Sequence, residues 1–282
     1  MPEEKRRGSL WVVGTPIGNL EDLSPRALAT LSGADVIFCE DTRVTAKIAA
    51  RFHVRATRVS CPGPREGSRA PELLRRLEAG ETVALVTDAG MPAVSDPGER
   101  LVAAASGAGF PVFVVPGPSA VSAALAVSGL PAVPHTFLGF LPARSGQRRR
   151  ALAALRDRPE TLVWFESPHR ILDSLDDAAA VLGPRRACVA RELTKIHEEV
   201  VRGTLPETAA ALRTRDAGRG EITVVVEGAP PPAAFLDDAG VDRALRDGLA
   251  RGEDKRAIAR EVAALSGRPA RELYARAVLL AK

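Results

Sequence analysis

Short runs of branched apolar residues alternate with stretches of helical periodicity through most of this chain, and nearly every run ends in a turn of glycine, proline or clustered charge. Residues 9–13, 35–39, 82–87, 111–115, 161–165, 187–191 and 222–227 read as strands. Between them, residues 25–31, 70–79, 98–106, 119–127 and 168–181 carry amphipathic helical patterns. Strand, turn and helix in repetition predict an α/β architecture with a largely parallel sheet in the first half.

The punctuation divides the chain. A boundary is expected at 128–142, where Gly129, Pro131, Pro134 and Pro142 interrupt any regular element. This places one α/β domain at 9–128 and a second at 129–228. Ala229-Pro230-Pro231-Pro232 opens a linker at 229–240, and residues 241–282 form a helical module. In that module residues 241–250 read as one helix. Asp254 caps a second with Ile258, Val262 and Leu265 facing inward, Gly267 turns the chain, and Pro269 suits the first position of a third with Leu273, Ala277 and Leu280 aligned. The pattern is that of a small helix-turn-helix-like unit. Its ten Lys/Arg against six Asp/Glu equal the +4 excess of the whole chain. That charge fits either a nucleic-acid contact or a solvated basic face.

With 282 residues, 45% of them apolar, the chain can bury a core in each of two domains. Cys39, Cys61 and Cys188 are odd in number and form no C-x-x-C pair, which argues against a disulfide framework. His53, His135, His169 and His197 lack paired ligand spacing, so no metal site is expected. The charged start, Met1 to Arg7, lacks an apolar run long enough for a signal peptide, so none is expected, and no apolar stretch reaches membrane-spanning length. A soluble, cytoplasmic protein is expected.

Four turns after predicted strands carry the chemistry, because ligands of open α/β sheets bind beyond the strand ends. Gly14-Thr15-Pro16-Ile17-Gly18-Asn19 is neither a dinucleotide fingerprint nor a P-loop, which disfavours an oxidoreductase. Glu40-Asp41-Thr42-Arg43 mixes both charges and, taken alone, reads more readily as a helix cap with a surface ion pair than as a site. Asp88-Ala89-Gly90-Met91-Pro92-Ala93-Val94-Ser95-Asp96-Pro97-Gly98 holds more conformationally special residues than turning alone requires. Pro116-Gly117-Pro118-Ser119-Ala120 sets Ser119 at a helix start, where backbone N–H groups are open to an acceptor.

Together these turns resemble the tetrapyrrole-methylase superfamily, and most closely its ribosomal RNA small subunit methyltransferase I branch. Phe165-Glu166-Ser167-Pro168-His169-Arg170, Ala190-Arg191-Glu192-Leu193-Thr194-Lys195 and Gly220-Glu221 extend the match over residues 9–227. The resemblance implies a two-domain, usually dimeric fold with S-adenosylmethionine in the interdomain cleft. By motif, the cofactor would meet Pro16, Ile17, Asp88, Gly90, Met91, Val94, Ser119 and Ala120, with Ser167, Leu193 and Ile222 from the second domain. It also implies 2′-O-methylation of a cytidine in the decoding region of 16S rRNA. One loop departs from the family pattern: Cys61-Pro62-Gly63-Pro64-Arg65-Glu66 keeps only the glutamate of a His- and Asn-containing stretch.

A ribose hydroxyl is a weak nucleophile, so a base or a charge near the developing alkoxide would assist it. Asp41, Arg43, Arg191, Glu192 and Lys195 are the catalytic candidates, and an interdomain ion-pair network is the equal alternative. His169 is a lesser candidate base. Arg144, Arg148, Arg149, Arg150, Arg156 and Arg158 crowd one linker and helix at a density suited to RNA phosphates, with a solvated charged helix as the alternative. Two other functions share these features: methylation of a uroporphyrinogen- or precorrin-type tetrapyrrole, and a non-catalytic role as an RNA-binding ribosome-assembly factor.

Overall fold

The computed structural model describes residues 7–214, 220–230 and 236–281. The charged start at 1–6 and Pro231 and Pro232 of the expected linker lie outside the described residues. The chain divides into two compact bodies, residues up to 156 with 160–227, and 157–159 with 228 onward.

The first body holds two five-stranded sheets. In the first sheet β1 (Ser9–Val13), β2 (Val36–Cys39), β3 (Thr57–Ser60), β4 (Thr82–Val86) and β5 (Val112–Val115) are all parallel, in the order β3-β2-β4-β1-β5. β2 is buried on both faces, and it shows the unbroken apolar run expected of a central parallel strand. Alternate residues serve opposite layers. Ile37 and Cys39 join Ala84 and Val86 beneath Ala27 and Leu31 of α1 (Pro25–Gly33) and Ile48 of α2 (Thr42–Phe52). Val36 and Phe38 join Val83 and Leu85 against Leu73 and Leu77 of α3 (Glu66–Glu78) and Leu101 of α4 (Glu99–Gly107).

The second sheet is mixed. β6 (His135–Phe140) runs parallel to β7 (Thr161–Glu166), and antiparallel pairing joins β7, β10 (Ile222–Val226), β8 (Arg186–Arg191) and β9 (Glu199–Thr204). One face packs Trp164, Val189 and Val224 on α7 (Ile171–Leu182) and α8 (Leu205–Arg213). The other packs Val163, Cys188 and Val225 against Val121, Ala124 and Leu125 of α5 (Ala120–Ser128), with Ile17 of the first sheet's turn. Thus α5 leaves the first sheet's β5 and seals the second sheet. α6 (Ser145–Ala153) follows β6.

Inside the stretch 128–142, where no regular element was expected, β6 forms an edge of the second sheet. β3, β6 and β9, which the apolar pattern does not reveal, are all sheet edges. An edge strand such as Thr57-Arg58-Val59-Ser60 is covered less than a central one and carries no apolar run.

The second body is a three-helix unit of α9 (Asp238–Ala250), α10 (Lys255–Ser266) and α11 (Ala270–Leu280). Asp254 accepts from the N–H groups of Arg256 and Ala257, and Gly267 ends α10 in the left-handed region. Pro269 stands at the cap of α11, one residue before the expected helical position. α9 begins inside the stretch read as linker. The inward face of α10 is Ile258, Ala259 and Val262, whereas Leu265 is half exposed, which corrects the expected third core position. No helix of the described residues is long and apolar enough to cross a membrane.

Candidate active site

The turns after β1, β4 and β5 converge at the carboxyl ends of the parallel strands. Thr15 and Gly90 exchange backbone hydrogen bonds (2.9 and 3.1 Å), and the Thr15 hydroxyl donates to the Thr87 carbonyl at 3.1 Å. Gly14 lies against Gly117 so closely that a Cβ would stand 2.6 Å from the Gly117 Cα. Glycine is required there because two backbones touch. Beside these turns lies a cavity of about 380 Å³, within the size range of small-molecule sites.

Ile17, Gly90, Met91, Val94, Ser119 and Ala120 line one side of this cavity, and Ser167 and Ile222 line the other. Eight of the eleven residues expected to meet a cofactor therefore share one wall system. The other three stand behind it. Pro16 is buried within its turn, and Leu193 packs in the core beside Ile17. The Asp88 carboxylate accepts from the Asp41 backbone N–H at 3.1 Å and so ties two turns together.

None of the five expected catalytic residues lines the cavity. Asp41 caps α2, accepting from the Arg43 N–H at 2.8 Å, and pairs with the exposed Arg43 guanidinium at 2.5 Å. That bond holds the Asp41 carboxyl down at about 2. Arg191 is 3.9 Å from Glu199. Lys195 Nζ reaches Glu192 at 2.8 Å and Glu221 at 3.2 Å. These partners outweigh the burial that opposes each charge, holding Lys195 above its ordinary value and Glu192 below its own. Glu221 does line the cavity, so Lys195 and Glu192 form a second layer behind that wall. His169 is exposed and lies outside the lining.

Sequence reasoning left out several lining residues. Phe165 and Glu166 end β7, and Phe140 ends the unexpected strand β6, with its ring 5.6 Å from that of Phe165. Asp96 is the most informative. Burial, reinforced by Glu40, Asp88 and Glu221, pushes its carboxyl up to about 6. Its turn is strained, with Ala93 at φ 68° and Ser95 at φ 64°. The signal was present in the crowded Asp88–Gly98 stretch, but no residue within it stood out.

The divergent stretch before α3 has a structural role. Glu66 is 6% exposed, and its Oε1 accepts from the N–H groups of Gly98 (3.0 Å), Arg100 (2.6 Å) and Leu101 (3.2 Å). It caps α4 and anchors the far end of the Asp96 turn.

The expected arginine patch needs one correction. Arg148 is 2% exposed, pairs with Asp177 at 2.7 Å and donates to the carbonyls of Pro142 and Ala143. It fixes α6 on α7 and cannot meet a phosphate. Arg144, Arg149 and Arg150 are exposed, with Arg149 3.6 Å from Asp177.

The sequence profile of the tetrapyrrole (corrin/porphyrin) methylases matches residues 9–209. The chain belongs to this family. This tetrapyrrole methylase is 44% identical over 272 residues to a ribosomal RNA small subunit methyltransferase I from Micromonospora olivasterospora, covering 96% of this chain and 87% of that one. A protein of the same name from Mesorhizobium japonicum is 42% identical over 277 residues, 98% and 93% of the two chains. Within the family the chain falls in that branch, and it is a methyltransferase. Solved structures share its fold at lower identity. A uroporphyrin-III C-methyl transferase from Thermus thermophilus complexed with S-adenyl homocysteine aligns with a TM-score of 0.53 at 24% identity, covering 78% of this chain and 96% of that one. A diphthine synthase aligns with a TM-score of 0.61 at 18% identity, covering 78% and 90%.

The residues present fit a methyl donor with a flat aromatic base and charged ends. Ile17, Met91, Val94 and Ile222 supply an apolar lining. The first N–H groups of α5 open on it, where Ser119 makes no side-chain cap bond, and they suit a carboxylate. Glu221 suits a cation.

Proposed function

We propose that this tetrapyrrole methylase is a cytoplasmic enzyme that methylates the ribose 2′-hydroxyl of a cytidine in the decoding region of 16S rRNA. S-adenosylmethionine is its methyl donor and supplies an activated methyl group on a sulfonium. The reading is carried by identity of 44% to a protein named for small-subunit ribosomal RNA, over 96% of this chain, together with a cavity built from the matching turns.

The chain's own contribution is placement. Ser119, Ala120 and Val121 would hold the donor's carboxylate at the start of α5. Rigid backbone at Thr15–Gly90 and at Gly14–Gly117 fixes the walls, so the acceptor oxygen meets a prearranged target. Lys195 and Glu192 position Glu221, while Asp41 and Arg43 steady Asp88. Arg144, Arg149, Arg150 and the basic three-helix unit are the proposed RNA contacts, in a homodimer.

Small ribosomal subunits and a uroporphyrinogen are offered separately with labelled S-adenosylmethionine, and the labelled nucleotide is mapped. Label on one cytidine ribose of 16S rRNA is the expected result. Label only on the tetrapyrrole, or on a base, would overturn the proposal.

A further inference from the structure

Three carboxylates line the cavity: Asp96, Glu166 and Glu221. Two are already engaged. Glu166, 2% exposed, accepts from the Ser167 N–H at 2.9 Å and pairs with Arg170 at 3.2 Å. Glu221 is paired with Lys195. Asp96 makes no hydrogen bond or ion pair with any of the described residues.

Its position is nevertheless tightly determined. The Ala93 N–H donates to the Pro97 carbonyl at 3.1 Å and closes the turn around Asp96. Glu66 clamps Gly98 two residues later, and a Cβ on Gly139 of β6 would stand 3.2 Å from the Ser95 hydroxyl. A turn fixed at both ends and strained within holds a charged side chain at a cavity wall without giving it a counter-ion. Folding alone gains nothing from that arrangement.

The groups facing Asp96 from neighbouring elements are all acidic: Glu40 after β2, Asp88 after β4 and Glu221 before β10. The cations beside these acids are committed, Arg43 next to Asp88 to Asp41, and Lys195 to Glu192 and Glu221. Such surroundings suit a group that meets a positive charge only when ligand is bound, and that can accept a proton near neutral pH.

We infer that Asp96 is the catalytic base of the methyl transfer, placed beside the donor's sulfonium and the acceptor hydroxyl. This rests on the function proposed above. The hydroxyl oxygen forms the new O–C bond as the methyl C–S bond breaks, with the C–S electron pair going to sulfur. The hydroxyl proton passes to the Asp96 carboxylate and then to solvent. The positive charge of the sulfonium thus leaves as the released proton.

Two measurements on the full-length protein test this. The first compares wild type and Asp96→Asn on small ribosomal subunits from pH 5 to 9, with S-adenosylhomocysteine affinity measured by calorimetry. With S-adenosylmethionine limiting, the wild-type rate should rise about tenfold per pH unit up to about 6 and then level. The variant should lose about 100-fold or more and the bend with it, yet bind S-adenosylhomocysteine within about twofold of wild type. The second follows the Asp96 carboxyl of wild type by carbon NMR. It should titrate near 6 with neutral S-adenosylhomocysteine, and clearly lower with cationic S-adenosylmethionine. A variant that keeps its rate, or a titration indifferent to the sulfonium, would overturn the assignment. A wild type inert on small subunits instead refutes the proposed function, and the NMR titration, which needs no acceptor, still judges Asp96.

Discussion

Two regions of the first body take charge out of water, and they do so in opposite ways. Between α6 and α7, Arg148 is almost sealed, and every direction of its guanidinium meets an acceptor: Asp177 and the Pro142 and Ala143 carbonyls. Ser145 completes the arrangement by donating to the other Asp177 oxygen at 3.0 Å. At the cavity wall, Asp96 is only partly covered, yet it meets no counter-charge and three acids surround it. The first region spends its charges on holding two helices together. The second leaves one unspent. Satisfied charge marks scaffold, and unsatisfied charge at a cavity wall marks chemistry.

The largest effect that separates the two is on stability. Arg148→Ala leaves Asp177, mostly buried, with only Ser145 and the exposed Arg149, and should cost about 3 kcal/mol in denaturant unfolding. Arg150→Ala, two residues away and exposed, should leave unfolding unchanged while weakening RNA binding and lowering its salt slope by about 1. Equal losses in both variants would erase the distinction between buried scaffold and exposed patch.

A smaller effect is expected at Glu66, a buried carboxylate that is satisfied although it stands next to the active turn. Glu66→Ala leaves the N–H groups of Gly98, Arg100 and Leu101 without an acceptor and should cost about 1–3 kcal/mol. Glu66→Gln keeps an acceptor oxygen and should recover most of that, as read by thermal unfolding.

The smallest effect has the opposite sign. The folded Asp96 value of about 6 lies above its ordinary 3.8, so the stability linked to this group is full below about pH 4 and is lost as pH rises through about 6. Asp96→Asn should therefore match wild type in melting temperature near pH 4 and exceed it by a few degrees at pH 7 to 8. Such gains at the cost of activity are typical of active-site charges. A variant less stable than wild type at pH 7 would move Asp96 into the scaffold class.

How much of this was legible in the sequence follows from the same distinction. The central strands were readable because burial on both faces demands apolar runs such as Val36-Ile37-Phe38-Cys39. The edge strands β3, β6 and β9 were not, since half-covered strands tolerate Thr, Arg and Glu. α8 could have been found from its capping box, in which Thr204 and Glu207 satisfy each other's backbone N–H groups. The cavity walls were legible through Gly90, Ser119 and Ser167, because turns that bring backbone to a ligand leave a record in residue type. The role of each charge was not. Asp41, Lys195 and Arg148 look as reactive in sequence as Asp96, and only the tertiary partners that each acquires tell them apart.

Everything turns on whether the donor occupies the cavity between the Gly90–Val94 turn, the start of α5 and β10. Ala120 lines that space at the first turn of α5, ahead of its buried residues Val121, Ala124 and Leu125, and Ala120→Phe would fill it from the helix end. Calorimetric titration with S-adenosylhomocysteine should show one site per chain in wild type and at least a ~100-fold weaker one in Ala120→Phe, whose melting temperature stays within about two degrees. Equal affinity in the two proteins would contradict the account, because the donor would then bind somewhere else.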